Sequence, residues 1–247
     1  MTVNGVATGT DASASAGEVF EARYAINSPR PLTEGDITGC LRAIKLPMEF
    51  VEVNATKKTV DVKSGVAPSV IVRAFQSAGL DAILRGSGEP NSSGVAILET
   101  FDTVSGSEVE GLVRMVQVGD KKTMFDVTVN GVEHPGQYSV AVHECGDVSR
   151  GLQSTGRVLH QFDGTVDCHL NSADSPGKFS GQAFLSAPLQ PWEVIGRSII
   201  VSRDGQAAIG GVVARSAGVW ENDKRVCACT GKTIWEERKE ARDRNIN

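Results

Sequence analysis

The chain contains no apolar run near the roughly 20 residues that a membrane-spanning helix needs, and no internal repeat. Its opening stretch, MTVNGVATGTDASASAGE, lacks both the basic start and the apolar middle of a secretory leader, and residues 1–16 are read as a flexible polar tail. Positive charge is not in excess. Lys and Arg number 25 against 30 Asp and Glu, a net charge of −5, so nothing electrostatic points to nucleic acid. Cysteine is sparse and odd in number: Cys40, Cys145, Cys168, Cys227 and Cys229. Without a leader, that excludes a secreted disulfide scaffold and points to a reducing compartment, so a cytoplasmic location is expected. The glycosylation triplets at Asn54 and Asn91 are then chance matches.

What is present is a chain of 247 residues, 40% hydrophobic and 22% charged, enough for one or two soluble domains. The stretch over 17–86 reads β-α-β-β-α-β. VFEARYAI alternates Phe20, Ala22, Tyr24 and Ile26 on one face, the period of a half-buried strand. LTEGDITGCLRAIK sets Thr33 three residues before Asp36, a capping-box spacing, ahead of Ile37, Leu41 and Ile44 at helical intervals. FVEV and TVDV flank a turn, APSVIVRAFQSAG runs as a helix from Pro68 to a stop at Gly79, and LDAILRG closes as a strand. That order indicates a small ferredoxin-like α+β sandwich. GSGEPNSSG, over 87–94, reads as a linker. From 95 to 217 come the short β-rich strings VAILETF, GLVRMVQV, TMFDVTVNG, QYSVAVHE, VIGRSIIVS and IGGVVARS, with Asn130-Gly131 as a hairpin signal. They suggest an all-β sandwich or barrel. Residues 218–247 form a tail ending in the charged run WEERKEARDR, read as a solvated helix face.

The tail carries the sharpest chemistry, RVCACTGKT. Two thiols one residue apart can share one metal ion, and soft thiolates at low coordination number suit Cu(I), whereas zinc usually takes four ligands. Lys224, Arg225 and Lys232 nearby would favour the thiolate. Exposed thiolates also attack disulfides and sulfenic acids, or form mixed disulfides. The competing reading is of two unrelated surface cysteines. TGKT is not a phosphate loop, because Val226 stands where the required glycine would be.

VAVHECGD, LQSTGRVLH and WEVIGRSIIVS resemble, in order and spacing, the metal-loop and strand motifs of copper/zinc superoxide dismutases. The resemblance implies a Greek-key barrel over 95–217 in which His143 and His160 match ligand histidines. Ala141 and Ser202 stand where the first and last ligands would be, Leu152 and Gly210 at the positions of that family's disulfide, and Ala207 near that of its active-site arginine. The complete site of that family takes six histidines and an aspartate, and this chain has only His134, His143, His160 and His169. No dismutase activity is expected. His143 and His160 are read as polar residues left in a loop without its metal, the alternative being weak zinc binding that includes His169.

GVVARSAGVWENDKRVCACTGKTIWEERK is similar to the C-terminal region of copper chaperones for superoxide dismutase, which join a ferredoxin-like metal-binding domain, a dismutase-like domain and a C-x-C tail. The resemblance covers about Glu18 to the C-terminus. It implies that Cys227 and Cys229 carry Cu(I) and drive disulfide formation in copper/zinc superoxide dismutase, with no enzyme activity beyond that transfer. It implies a heterodimer with that partner through Trp192, Ile195, Gly196 and Arg197 on the stretch matching the dimer-facing strand, leading through Gly218, Val219 and Trp220 into a mobile tail. A homodimer of the free chain is left open. One departure matters: where the family has M-x-C-x-x-C, this chain reads INSPRPLTEGDITGC, with Cys40 as the one nearby thiol, taken as a small buried helix residue. The first domain is therefore expected to fold or dock and not to bind copper. A copper-independent thiol oxidoreductase or docking module is the rival reading, and an active dismutase the less favoured one.

Overall fold

A computed structural model describes residues 18–43, 45, 48–100, 109–171, 177–243 and 246, so the tail read over 1–16 lies outside the described residues. The first elements are β1 (Phe20–Asn27), α1 (Glu34–Ala43), β2 (Met48–Asn54), β3 (Thr59–Ser64), α2 (Pro68–Ser77) and β4 (Asp81–Ser87). The strands form one antiparallel sheet in the order β2-β3-β1-β4. Helix α1 begins where the capping-box spacing put it: Thr33 Oγ1 accepts from the Asp36 amide at 3.2 Å and Asp36 Oδ2 accepts from the Thr33 amide at 3.1 Å. Helix α2 opens on Pro68, whose missing N–H costs nothing in a first turn, and Gly79 behind it takes φ 78°. The helices bury Ile37, Leu41, Ile71 and Phe75 against Tyr24, Ile26, Val60, Val62 and Ala82, so the even-numbered face of β1 is apolar as its alternation requires.

The opposite face is not left to water. Arg23 and Asp61 sit directly across from one another on β1 and β3, each 5% exposed, joined by Nε–Oδ1 at 2.6 Å and Nη2–Oδ2 at 2.7 Å. Such a bidentate pair is strong only because both partners are present and hydrogen-bonded.

The second body comprises β5 (Ser93–Glu99), β6 (Glu110–Gly119), β7 (Lys122–Val132), β8 (Gly136–His143), β9 (Ser149–Leu152), β10 (Val158–Cys168), β11 (Leu170–Asn171), β12 (Phe179–Ala187), a turn of helix α3 (Pro191–Val194), β13 (Ser198–Arg203), β14 (Gln206–Val212) and β15 (Ala214–Arg215). Its sheet runs β10-β8-β13-β14-β5-β6-β7-β12-β11, with β15 paired to β5. Strands β10 and β12 approach one another, which makes eight of these strands a nearly closed antiparallel barrel. Alternate residues point inward: Phe125, Val127 and Val129 of β7, Val140 and Val142 of β8, Ile199 and Val201 of β13, with Phe162 edge-on to Phe125 at 4.9 Å. Asn130-Gly131 is not the hairpin turn its sequence signalled. Both residues lie in β7, and Gly131, at φ 85°, accommodates a register shift against β12. The tight reversal between β6 and β7 uses Asp120 and Lys121 instead, Lys121 taking φ 50°.

β4 ends at Ser87 and β5 begins at Ser93, so the two sheets adjoin. Between them lies a buried polar contact. Asp126 of β7 accepts from the Ser69 amide at 2.8 Å and the Ser69 hydroxyl at 2.6 Å, with Arg114 3.9 Å away. Burial pushes the Asp126 carboxyl above its usual range, opposed by Arg114 and Ser69. Val116 and Met124 of the barrel join the first sheet's apolar cluster, so the two cores touch.

Breaking the Arg23–Asp61 pair from one side tests its weight. Asp61→Ala should lower the stability of the full chain by about 3 kcal/mol, read from the urea midpoint, because it strands a buried guanidinium. Changing both residues to leucine should cost distinctly less.

Candidate functional site

The thiol-bearing tail is built from its entry point upward. Leaving β15, the chain runs beside β4: the Ser87 amide donates to the Ala217 carbonyl at 3.2 Å and the Val219 amide to the Gly88 carbonyl at 3.0 Å. The approach is close enough that a Cβ on Gly86 would overlap the Gly218 carbonyl. The next residues lie over the polar face of the first sheet. The Arg23 guanidinium stacks 3.5 Å from the Trp220 ring centroid, and its Nη1 is 3.6 Å from Asp223. Arg85, 9% exposed on β4, donates to the Asn222 carbonyl at 3.0 Å, to Asn222 Oδ1 at 2.9 Å and to the Lys224 carbonyl. The resemblance implies a mobile tail after Trp220 and leaves open whether it is ordered without a partner; in this structure two buried arginines contact it through its backbone oxygens and one indole.

From there the chain closes a small loop. Val226 bridges Thr233, the Ile234 amide reaches the Arg225 carbonyl at 3.1 Å, and the Cys227 amide reaches the Lys232 carbonyl at 2.8 Å. Inside this frame the Gly231 amide returns to the Cys227 carbonyl at 2.9 Å, Gly231 taking φ 70°. Helix α4 (Ile234–Asp243) follows at once, opened by Thr233 and Glu236: the Thr233 amide donates to Glu236 Oε2 at 2.7 Å, and the Glu236 amide to Thr233 Oγ1 at 3.2 Å. The helix is charged over most of its length, but it is not fully solvated: Ile234, Trp235 and Arg238 are partly buried. Arg238 and Arg242 come to 4.0 and 3.9 Å from Asp81 at the start of β4.

Cys227 is half-buried and Cys229 exposed, and both are free thiols. The sequence put the activation of this pair on Lys224, Arg225 and Lys232. The structure places it elsewhere. Hydrogen bonding from the Thr230 side chain, then from the Thr230 and Cys229 backbone, lowers the Cys227 thiol from its ordinary range, with Glu237 opposing. Lys232 is drawn away, its ammonium 2.5 Å from Glu240. Chemically the loop presents two soft sulfurs two positions apart, one biased toward thiolate, a donor set that fits Cu(I) and disulfide exchange.

The other sequence-selected residues are not assembled with the pair. His143 faces Thr155 Oγ1 at 3.0 Å and the Gly156 carbonyl at 3.1 Å, His160 packs edge-on to Phe162 at 5.0 Å, and His169 contacts Asp167. His134 offers its carbonyl to the Tyr138 hydroxyl at 2.8 Å. Ala141 is buried opposite Ile200, and Ser202, across from Ser139, meets its hydroxyl at 2.9 Å. Leu152 lies in β9, Gly210 pairs with Ile200, and Ala207 pairs with Ser202. Among the described residues no group of three or more His, Cys, Asp and Glu is placed to hold a metal. Cys40 is half-buried on α1, not fully buried as expected, because the helix turns only Ile37 and Leu41 squarely inward. Burial raises its thiol, aided by Asp36.

Trp192, Ile195, Gly196 and Arg197 do come together, though not on a strand as the sequence pattern placed them. They occupy α3 and the loop before β13, because Gln190 and Glu193 form a capping box and Pro191 starts a helical turn. The Gly196 amide donates to the Val213 carbonyl and the Val213 amide to the Arg197 carbonyl, both at 2.8 Å. Arg197 reaches the Glu193 carbonyl at 2.6 Å and the Glu144 carbonyl at 2.5 Å, leaving Trp192 65% exposed on a braced loop. Four residues that matter here carried no recognisable signal: Arg23 and Arg85, which alternation put on a wet face, and Asp223 and Thr230, which lie in plain loop sequence.

Thr230→Val should raise the Cys227 thiol and slow its alkylation several-fold near neutral pH, since less of it is thiolate; the rate of iodoacetamide labelling resolved by peptide mass checks this.

No protein-family profile matches the chain. It is 49% identical over 234 residues to the superoxide dismutase 1 copper chaperone of Candida glabrata, covering 93% of this chain and 98% of that one. It is 46% identical to the protein of that name from Saccharomyces cerevisiae, over 93% and 98% of the two chains, and 44% identical to that from Kluyveromyces lactis, over 92% and 96%. A solved structure of the clock protein EA4 covers 51% of this chain at 21% identity with a TM-score of 0.39, too distant to bear on the fold. At 44–49% identity along nearly the whole length of these relatives, the chain belongs to the family of superoxide dismutase copper chaperones.

Proposed function

We propose that the chain is a metallochaperone that docks on copper/zinc superoxide dismutase, delivers Cu(I) to it and promotes its internal disulfide. The observation that carries this is the thiol loop: Cys227 and Cys229 stand free at the tip of a hydrogen-bonded frame, one half-buried and one exposed. In the proposed organisation, residues 17–86 form a ferredoxin-like domain without its copper loop, 87–94 a linker, 95–217 a dismutase-like Greek-key barrel and 218–247 the thiol segment. The barrel supplies recognition. An exposed Trp192 beside Ile195, Gly196 and Arg197 offers a small preformed patch with little conformational entropy to lose, fit for an isologous-type heterodimer. The same patch would serve a homodimer of the free chain.

Cu(I) is cargo here. Two thiolates hold it at low coordination, and exchange one ligand at a time for the partner's imidazoles keeps it bound throughout. Disulfide formation is a two-electron exchange. With the pair oxidised to a disulfide by dioxygen, which takes two electrons and two protons to become hydrogen peroxide, a partner thiolate attacks the Cys229 sulfur, breaks the Cys227–Cys229 bond, releases the Cys227 thiolate and forms a mixed disulfide. The partner's second thiolate displaces that sulfur, so the partner ends oxidised and the tail reduced. The lowered Cys227 thiol favours it as the leaving group. The working compartment is the cytoplasm.

Cys40 stands alone where the family's copper loop would place two cysteines, and that favours a second reading in which the tail exchanges thiols without carrying copper. Cu(I) titration against a competing chelator separates them: under the first reading one equivalent binds tightly and the Cys227→Ser/Cys229→Ser variant loses it, whereas the copper-free reading gives no such uptake. Incubated with metal-free dismutase and Cu(I), the double variant should leave the partner without copper and with its thiols reduced. Retained activation would remove the tail from the mechanism.

A further inference from the structure

The first domain lacks the cysteines that would give it a copper loop, yet its sheet makes the most specific contacts the tail has. We propose that the polar face of the β2-β3-β1-β4 sheet is the seat of the thiol segment, with Arg85 and Arg23 as positioning residues that fix where Cys227 and Cys229 stand. This rests on the reading of that pair as the working thiols.

Three features make the face a seat and not a chance contact. Two arginines are buried on it, which is costly unless their donors are used. Arg23 spends its donors on Asp61 and turns its flat side to Trp220, while Arg85 aims its fork at the carbonyls of Asn222 and Lys224. A guanidinium satisfied by main-chain oxygens fixes a backbone path, because neither oxygen can rotate away as a side chain could. The path is short. Lys224 is three residues from Cys227, and Val226 is already paired with Thr233. Where the Lys224 carbonyl is held, the thiol loop is held.

The seat is clamped at both ends. Upstream, Gly86 and Gly218 are packed so closely that neither has room for a side chain: a Cβ on Gly86 meets the Gly218 carbonyl, and one on Gly218 meets the Glu89 and Pro90 backbone. Downstream, Arg238 of α4, mostly buried, and Arg242 both approach Asp81. Three residues of β4, Asp81, Arg85 and Gly86, therefore receive three successive parts of the tail. The domain that would elsewhere bind metal through its first loop holds the metal-binding segment through its last strand.

The test uses the full chain and needs no partner for its first arm. Hydrogen exchange should show the amides of Cys227, Gly231 and Ile234 protected in the parent. Arg85→Ala should accelerate them roughly tenfold or more while β6 and β7 exchange as before, as local release of a docked segment requires. A spin label on Cys229, in a chain whose other cysteines are serine, read against a second label at Thr56→Cys, should give a narrow distance distribution that Arg85→Ala broadens. Asp81→Asn, at the rim of the seat, should produce the smaller version of both effects, and it decides the matter if Arg85→Ala does not fold. Unprotected amides in the parent, or exchange and distances indifferent to both substitutions, would overturn the seat.

The second arm distinguishes positioning from stability. With metal-free dismutase and Cu(I), Arg85→Ala should lower the rate of partner activation at saturating chaperone, leaving half-saturation unchanged because the Trp192–Arg197 loop is intact. An equal loss from Cys227→Ser/Cys229→Ser in a chain whose tail stays protected belongs to the thiols and not to the seat, so the two ideas fail separately.

Discussion

The structure turns on a pair of arginines in an unusual place. Arg23 and Arg85 sit on a sheet face that alternation assigns to solvent, and burying two guanidinium groups would be prohibitive without full use of their donors. Asp61 satisfies one, the backbone of residues 222–224 the other. Each solution demands that a distant part of the chain be present. The small sheet is thereby a two-sided element: its inner face is closed by α1 and α2 from its own sequence neighbourhood, its outer face by residues well over a hundred positions away in the numbering.

That division explains which parts of the molecule could be read from sequence. The inner face of β1 was legible because Phe20, Ala22, Tyr24 and Ile26 alternate and their partners are local. Helix α1 was legible from Thr33 and Asp36, helix α2 from Pro68 and Gly79, since caps are decided within a few residues. The hairpin assigned to Asn130-Gly131 failed for the converse reason. The dipeptide does supply a positive φ, but the barrel's register across β12 uses it for a bulge, a decision made between strands. Strands β10 and β12 were missed because their inward positions carry few large apolar side chains: β12 buries Gly181, Ala183, Leu185 and Ala187, and β10 only Phe162, Val166 and Cys168.

The candidate site divides the same way. Paired cysteines are visible in any sequence, whereas Trp192–Arg197 was singled out only through the family resemblance, as part of a strand, and Pro191 and the Gln190–Glu193 box make it a braced helical turn. The source of thiol activation was not visible. Charge in the neighbourhood suggested Lys232, whereas folding spends Lys232 on Glu240 and gives Cys227 a hydroxyl three residues on. Proximity in sequence is a guide to charge, and only geometry allots a hydrogen bond.

Asp126 belongs to neither half of the molecule alone. Its carboxylate lies in the barrel while two of its donors, the amide and hydroxyl of Ser69, open a helix of the other sheet. Were the chain divided anywhere between Ser87 and Ser93, the barrel fragment would keep Arg114 and Gln182 beside Asp126 but lose both Ser69 donors, next to an uncovered apolar patch around Val116 and Met124, and the smaller fragment would be left with an uncovered helix end. Such halves would be poor candidates for independent recombination, since this one carboxyl group ties the barrel and the smaller sheet into a single heritable part.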